Sequence, residues 1–235
     1  MSGSIRLFVT NPLHQGAIVV PSAAQAHYLG TVMRQGAGDT LRLFNGRDGE
    51  FRAQIETLRR DKATLAVETM LRPQAPEADL WLAFAPVKRD TTDFLVQKAT
   101  ELGVAALLPV ITERTNATRI NLDRLRAIAI EAAEQSERLS IPDLHPLAPL
   151  PVLLANWPAE RALFVALERG DLPLPRPASG PAGLLIGPEG GFSSWDRAQM
   201  MNASKYTLIS LGPRILRAET AAIVGLTLLQ APGCG

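Results

Sequence analysis

Along the first seventy residues apolar and polar positions alternate in short runs, and the runs end at proline or at glycine-bearing pairs. Residues 5–9 and 17–20 read as strands, the second stopped by Pro21. Ser22 sits where an N-cap belongs, and the spacing of Ala23, Ala26, His27, Leu29, Val32 and Met33 predicts a helix behind it. Residues 40–44, 51–57 and 63–70 read as three further strands, with tight turns at Asn45-Gly46 and Asp48-Gly49. Several short strands joined this way predict a small β-barrel-like domain over residues 1–72.

The pattern changes after the proline-punctuated joint at 72–78. Apolar runs at 80–85, 105–110, 163–167, 184–186 and 207–211 lack the alternation of a half-exposed strand, so they read as strands buried on both faces. Helical stretches separate them, at 90–102, from Asn121 or Asp123 to about 138, at 194–202, and finally at 219–230. Thr220 is the predicted cap of the last helix, with Glu219 near its positive end. Strands alternating with helices over residues 78–235 predict a mainly parallel α/β sheet.

Composition narrows the class. A chain that is 46% hydrophobic and 20% charged can bury a real core. No apolar run approaches the ~20 residues of a membrane span, and the start lacks the layout of a secretory signal; a cytoplasmic location is expected. The single cysteine, Cys234, excludes an internal disulfide, and His14 and His145 lack partners at metal-ligand spacing, so no metal is expected. Net charge is +1, but residues 1–72 carry nine Lys/Arg against six Asp/Glu. A basic leading segment suits RNA docking, and it equally suits chance asymmetry on a solvated surface.

The chemistry concentrates in two C-terminal motifs within residues 185–230. In Leu184-Leu-Ile-Gly-Pro-Glu-Gly-Gly-Phe-Ser193 a buried strand ends at Gly187, Pro188 stiffens the exit, and Gly190-Gly191 open backbone angles closed to other residues. The turn is neither a Walker A loop nor a G-x-G-x-x-G fingerprint, and no acidic ribose partner follows about 20 positions on. Phosphate is therefore disfavoured as its ligand. Leu211-Gly-Pro-Arg-Ile-Leu-Arg-Ala-Glu-Thr-Ala222 repeats the logic, with Ile215 and Leu216 placed to sandwich an adenine and Arg214 or Arg217 to meet an anion. Two such turns at one sheet edge predict a ligand pocket.

Together these motifs resemble the SPOUT methyltransferases, and most closely the family of the ribosomal RNA small subunit methyltransferases E. The likeness extends through His27-Tyr28-Leu29, Leu43-Phe44-Asn45-Gly46, residues 97–103, Thr112-Glu113-Arg114 and Glu131-Ala-Ala-Glu-Gln-Ser136. It implies a PUA-like RNA-docking barrel, a trefoil-knotted catalytic domain, a homodimer, and transfer of a methyl group from S-adenosylmethionine to N3 of a uridine in 16S ribosomal RNA. The implied cofactor residues are Leu167 and Glu168; Ile186, Gly187, Gly190 and Gly191; and Leu211, Gly212, Ile215, Leu216, Arg217 and Thr220. Arg6, Arg34, Lys88, Arg89, Arg114 and Arg138 are the implied RNA contacts. Two positions depart from the family pattern: Thr91 stands where a lysine is frequent, and Glu137 where a glycine is usual.

The sulfonium methyl is already activated, so the residues that matter align the acceptor and deal with the N3 proton. Arg217 and Lys88 are candidates for orienting the uridylate and Glu134 for the base, although Glu131, Glu134 and Arg138 also suit a solvated ion-pair face of a helix. Three readings remain distinct: this methyltransferase, a methyltransferase of another RNA nucleotide, and a non-catalytic RNA-binding module. A nucleotide-dependent doubly wound enzyme is disfavoured by the missing phosphate loops.

Overall fold

In the computed structural model, which describes residues 5–117, 119–168, 172–201 and 206–231, the alternating runs of the N-terminal third form a five-stranded sheet. Its strands are β1 (Arg6–Phe8), β2 (Ile18–Val19), β3 (Thr40–Phe44), β4 (Glu50–Arg59) and β5 (Lys62–Arg72), in the order β1-β3-β4-β5-β2. Strands β1 and β3 run parallel and the other pairs antiparallel. The period-two pattern does what it must: Leu41 and Leu43, Phe51, Ala53 and Ile55, and Leu65 and Val67 all turn to one core with Leu7, Val9 and Leu29. The turn before β4 is built by side chains: Asn45 Oδ1 accepts from the amides of Arg47 and Asp48, and Asp48 Oδ2 accepts from the Leu13 amide and the Asn45 side chain. The hydrogen bond from the Arg47 side chain, then those from Leu13 and Asn45, hold the Asp48 carboxyl well below the usual carboxylate range.

Ser22 and Gln25 form a reciprocal capping box at the start of α1 (Ala23–His27). The single helix expected there widens into a π-helical turn over Tyr28–Val32. An extra residue in a turn rotates everything after it, so Leu29 is fully buried whereas Val32, expected on the same face, is 59% exposed.

This sheet belongs to a unit comprising Met1–Pro76 together with Ala133–Ile141. Within it Arg6, 6% exposed, stacks on the Phe44 ring and reaches four partners. Its guanidinium donates to Glu50 Oε1 at 2.6 Å and to the carbonyls of Ala133, Glu134 and Arg138 at 2.7–3.0 Å. Those carbonyls lie at the end of α3 (Leu122–Gln135) and just past it, where a helix runs out of internal donors. The Arg138 amide returns to the Ala133 carbonyl, as in a Schellman ending, and Glu137 takes the left-handed position at φ +59. That is a conformation glycine adopts without strain. Here glutamate occupies it, against a steric cost of about 1–2 kcal/mol, with its carboxylate 3.4 Å from Arg42.

The second unit, Glu77–Ala132 with Pro142–Gly235, holds the apolar runs as β6 (Leu80–Phe84), β7 (Ala106–Ile111), β10 (Ala162–Ala166), β11 (Ala182–Ile186) and β12 (Tyr206–Ile209). Short strands β8 (Asp143–Leu144) and β9 (Ala148–Pro149) also pair with β7; they are too brief to announce themselves by pattern. Strand order is β12-β10-β11-β6-β7-β8, and every pairing is parallel. Helices α2 (Arg89–Glu101), α4 (Leu150–Ala155), α5 (Ser194–Met201) and α6 (Ala218–Gln230) accompany the sheet, and α2 and α6 pack together. Asn121 Oδ1 accepts from the Arg124 amide at the start of α3. Thr220 does not cap α6: the helix begins at Ala218, with Arg217 in extended conformation before it, because alanine and glutamate propagate a helix readily.

The N-terminal ends of the strands are cemented by stacking. Arg161 lies over the Trp81 ring at 3.7 Å and pairs with Asp79, and Trp81 meets Trp157 edge-on. Gly183 in β11 leaves room for Trp157; a Cβ there would lie 2.4 Å from its ring.

The Arg6–Glu50 pair generates a stability prediction. Burial by itself would raise the Glu50 carboxyl, but hydrogen bonds from Arg72 and Arg6 outweigh it and hold the carboxyl below its ordinary value of 4.5. The pair therefore contributes in full above that value and less as pH falls through the lower folded value. Glu50→Gln leaves Arg6 buried without its counter-charge, and the unfolding free energy in a urea titration at neutral pH drops by about 3–5 kcal/mol, with a shallower decline in acid than wild type.

Candidate active site

Parallel register brings three strand ends to one line. Ala166, the last residue of β10, lies opposite Ile186 of β11 and Ile209 of β12. The segments that follow, from Leu167, Gly187 and Ser210, must therefore leave the sheet side by side. They line a cavity at the carboxyl edge of the sheet. Its wall is apolar at Ala166, Ile186, Phe192, Leu216, Ala218 and Ala221, and its charged members are Glu168, Glu189, Arg197 and Arg214.

The glycines are required where they stand. Gly191 has φ +66, and a Cβ on it would sit 3.1 Å from the Glu168 carboxylate. At Gly187 a Cβ would approach the Phe192 ring to 2.9 Å.

Of the residues expected at a cofactor, Leu167, Glu168, Ile186, Gly187, Gly191, Leu211, Gly212 and Leu216 line this cavity. Gly190, Ile215, Arg217 and Thr220 do not. The segment before α6 explains two of these: Arg214 and Leu216 line the cavity, while Ile215 is 60% exposed and Arg217 is exposed outside it. On α6, Ala218 and Ala221 share the cavity face by helical spacing, which leaves Thr220 on another side. Arg217, expected to act on substrate, thus lies on neither this cavity nor the next.

A second cavity adjoins the first. It too follows from register: Phe84 of β6 lies opposite Ile186 on one side and Pro109 of β7 on the other. The segments after β6 and β7 supply Pro86, Val87, Lys88, Arg114, Asn116 and Ala117, and the β11 loop supplies Pro188, Glu189 and Gly190. Pro188 and Glu189 line both cavities. Two contacts hold the loops together: Arg114 Nη1 donates to the Gly190 carbonyl at 2.8 Å, and the fully buried Asp196 accepts from the amides of Glu113 and Ser193.

Other expected residues have structural work. Glu134 Oε1 accepts the Phe8 amide at 2.8 Å, so its carboxylate helps to hold strand β1. Arg6 and Arg138 are 6% and 7% exposed and are corrected from RNA contacts to interior residues. Their donors are committed because a buried guanidinium must satisfy them. Arg34 and Arg89 remain exposed, as does Lys88. Sequence reasoning missed Glu189, Phe192 and Arg197 as lining residues, although the first two sit inside or beside the glycine motif that it singled out. Among the described residues no group of His, Cys, Asp and Glu gathers as metal ligands, and no helix is long and apolar enough to cross a membrane.

Comparison with known proteins gives the geometry a family. An RNA methyltransferase domain matches residues 73–230, and an RNA methyltransferase PUA domain matches residues 21–68. The ribosomal RNA small subunit methyltransferase E of Rickettsia conorii is 33% identical over 234 residues, covering 97% of this chain and 96% of that protein. Its counterpart from Synechocystis is 34% identical, covering 92% of this chain and 73% of the relative. The crystal structure of the Neisseria gonorrhoeae enzyme of the same name, bound to S-adenosyl methionine, superposes with a TM-score of 0.88 at 27% identity over 96% of both chains. Full-length likeness in sequence and in fold has one consequence: the chain belongs to the ribosomal RNA small subunit methyltransferase E family.

Proposed function

We propose that the chain transfers a methyl group from S-adenosylmethionine to N3 of a uridine in 16S ribosomal RNA. One observation carries the reading: three parallel strand ends in register place a glycine-turned, largely apolar cavity directly beside a cationic one. The residues present fit the methyl donor. Apolar surface at Ile186, Leu216 and Ala218 suits an adenine, Glu168 suits ribose hydroxyls or an ammonium group, and Arg197 and Arg214 suit a carboxylate. When bound, S-adenosylmethionine supplies an activated methyl on a sulfonium. Lys88 and Arg114 in the adjoining cavity offer positive charge to a flipped uridine and its phosphates.

In the same reading residues 1–72 dock RNA and 78–235 carry the reaction. Arg34, Arg59 and Arg60 are exposed and have no ion-pair partner among the described residues, so they replace Arg6 and Arg138 as phosphate contacts alongside Arg89. The family likeness extends the proposal to a cytoplasmic homodimer with a knotted catalytic domain.

Calorimetry detects S-adenosylmethionine binding by the wild-type chain. Gly191→Ala, strained at positive φ and crowding Glu168, weakens it at least tenfold, about 1.4 kcal/mol. Mass mapping of 16S ribosomal RNA from a strain lacking the gene shows one missing uridine methyl mark, restored by the wild-type gene and poorly by Lys88→Ala with Arg114→Ala. An unchanged methyl pattern in the deletion strain would overturn the substrate assignment. Light scattering of the pure chain reads twice its 25.3 kDa mass; a monomer at working concentration contradicts the dimer.

A further inference from the structure

The acceptor nitrogen of uridine carries a proton at neutral pH, and some group must take it as the methyl arrives. Within the reading proposed above, that group must reach the junction of the two cavities, because donor and acceptor meet there. Among the described residues, Glu189 is the only titratable side chain that lines both.

Its placement is set by the chain around it. The Gly191 amide donates to the Pro188 carbonyl at 2.8 Å, closing a four-residue turn with Glu189 and Gly190 at its corners. Pro188 is buried, and the Gly190 carbonyl is held by Arg114. The backbone is therefore pinned on both sides of Glu189, while its exposed carboxylate has no hydrogen-bond or ion-pair partner among the described residues.

The other nearby acids are disqualified by their surroundings. Asp196 is fully buried with both oxygens on backbone amides. Glu168 lines the cofactor cavity alone, and Glu113 lines neither.

We propose that Glu189 is the general base that accepts the N3 proton. The proton passes from N3 to a Glu189 carboxylate oxygen. The freed electron pair on N3 forms the bond to the methyl carbon as the carbon–sulfur bond breaks, its pair remaining on sulfur. An imide is a much weaker acid than a carboxylic acid, so the transfer needs the developing negative charge on the uracil to be favoured. Lys88 and Arg114 line the same cavity as Glu189 and supply the positive charge that favours it.

The experiment compares wild type with Glu189→Gln and Glu189→Asp on transcribed 16S RNA, naked and assembled into subunits. Glu189→Gln lowers kcat by roughly 10²–10⁴-fold, while calorimetric affinities for S-adenosylmethionine and for RNA stay within about threefold of wild type, the size of a minor binding effect. Glu189→Gln also changes the pH profile, its residual rate climbing with pH across the range where wild type does not. RNA transcribed with 5-fluorouridine, whose N3 proton is more acidic, speeds Glu189→Gln far more than wild type, and Glu189→Asp recovers part of the rate. A Glu189→Gln enzyme with wild-type kcat and pH profile overturns the assignment, as does a loss explained wholly by weaker S-adenosylmethionine binding. A wild-type chain that binds both ligands yet transfers no methyl overturns the parent reading and this assignment with it.

Discussion

The parallel register of β10, β11 and β12 is the constraint on which the catalytic unit depends. Ala166, Ile186 and Ile209 end their strands at one level, so three loops distant in sequence must emerge together. Extending the register through Phe84 to Pro109 lines up two more loops and makes the second cavity a neighbour of the first. Open parallel sheets bind ligands at their carboxyl ends for this reason. At the opposite end β6 and β11 are packed against Trp157 and Arg161, through the Trp81 ring and the Ala182 carbonyl, while the cavities lie at the carboxyl edge.

Within the edge, the loops owe their rigidity to a small number of polar contacts. Asp196 spends both carboxylate oxygens on amides from different loops, and Arg114 holds the Gly190 carbonyl. These contacts matter more than their individual strength, because aligning reacting groups within a fraction of an ångström is itself a large share of catalysis. They also leave Glu189 at the corner of a fixed turn, free to act.

In the first unit the equivalent organising interaction is the buried Arg6. A guanidinium removed from water must satisfy five donors, and this one finds a carboxylate and three carbonyls within reach. A charge count treats Arg6 and Arg138 as ordinary basic residues; both are buried. Glu137 shows the same dependence on context. Its left-handed conformation is set by the helix ending, and glutamate accommodates it where glycine would do so without strain.

Much was legible in the sequence. Alternation marked the strands of the first unit, continuous apolar runs marked the parallel strands, and the N-cap at Ser22 and the glycine motif at 187–191 were readable because each is a local rule. The two-residue strands β8 and β9 were not, since no period fits in them. The inward and outward sides of residues 214–217 were also hidden, because both the alternation and the start of α6 had to be placed before Arg217 could be seen to miss the cavity. Local chemistry, then, was determined by the chain alone: which segments turn, which are buried, and which loop must be made of glycine. Which side chains share a cavity was decided only by tertiary structure, because strand register and helix phase, not sequence distance, set the spacing between groups that react.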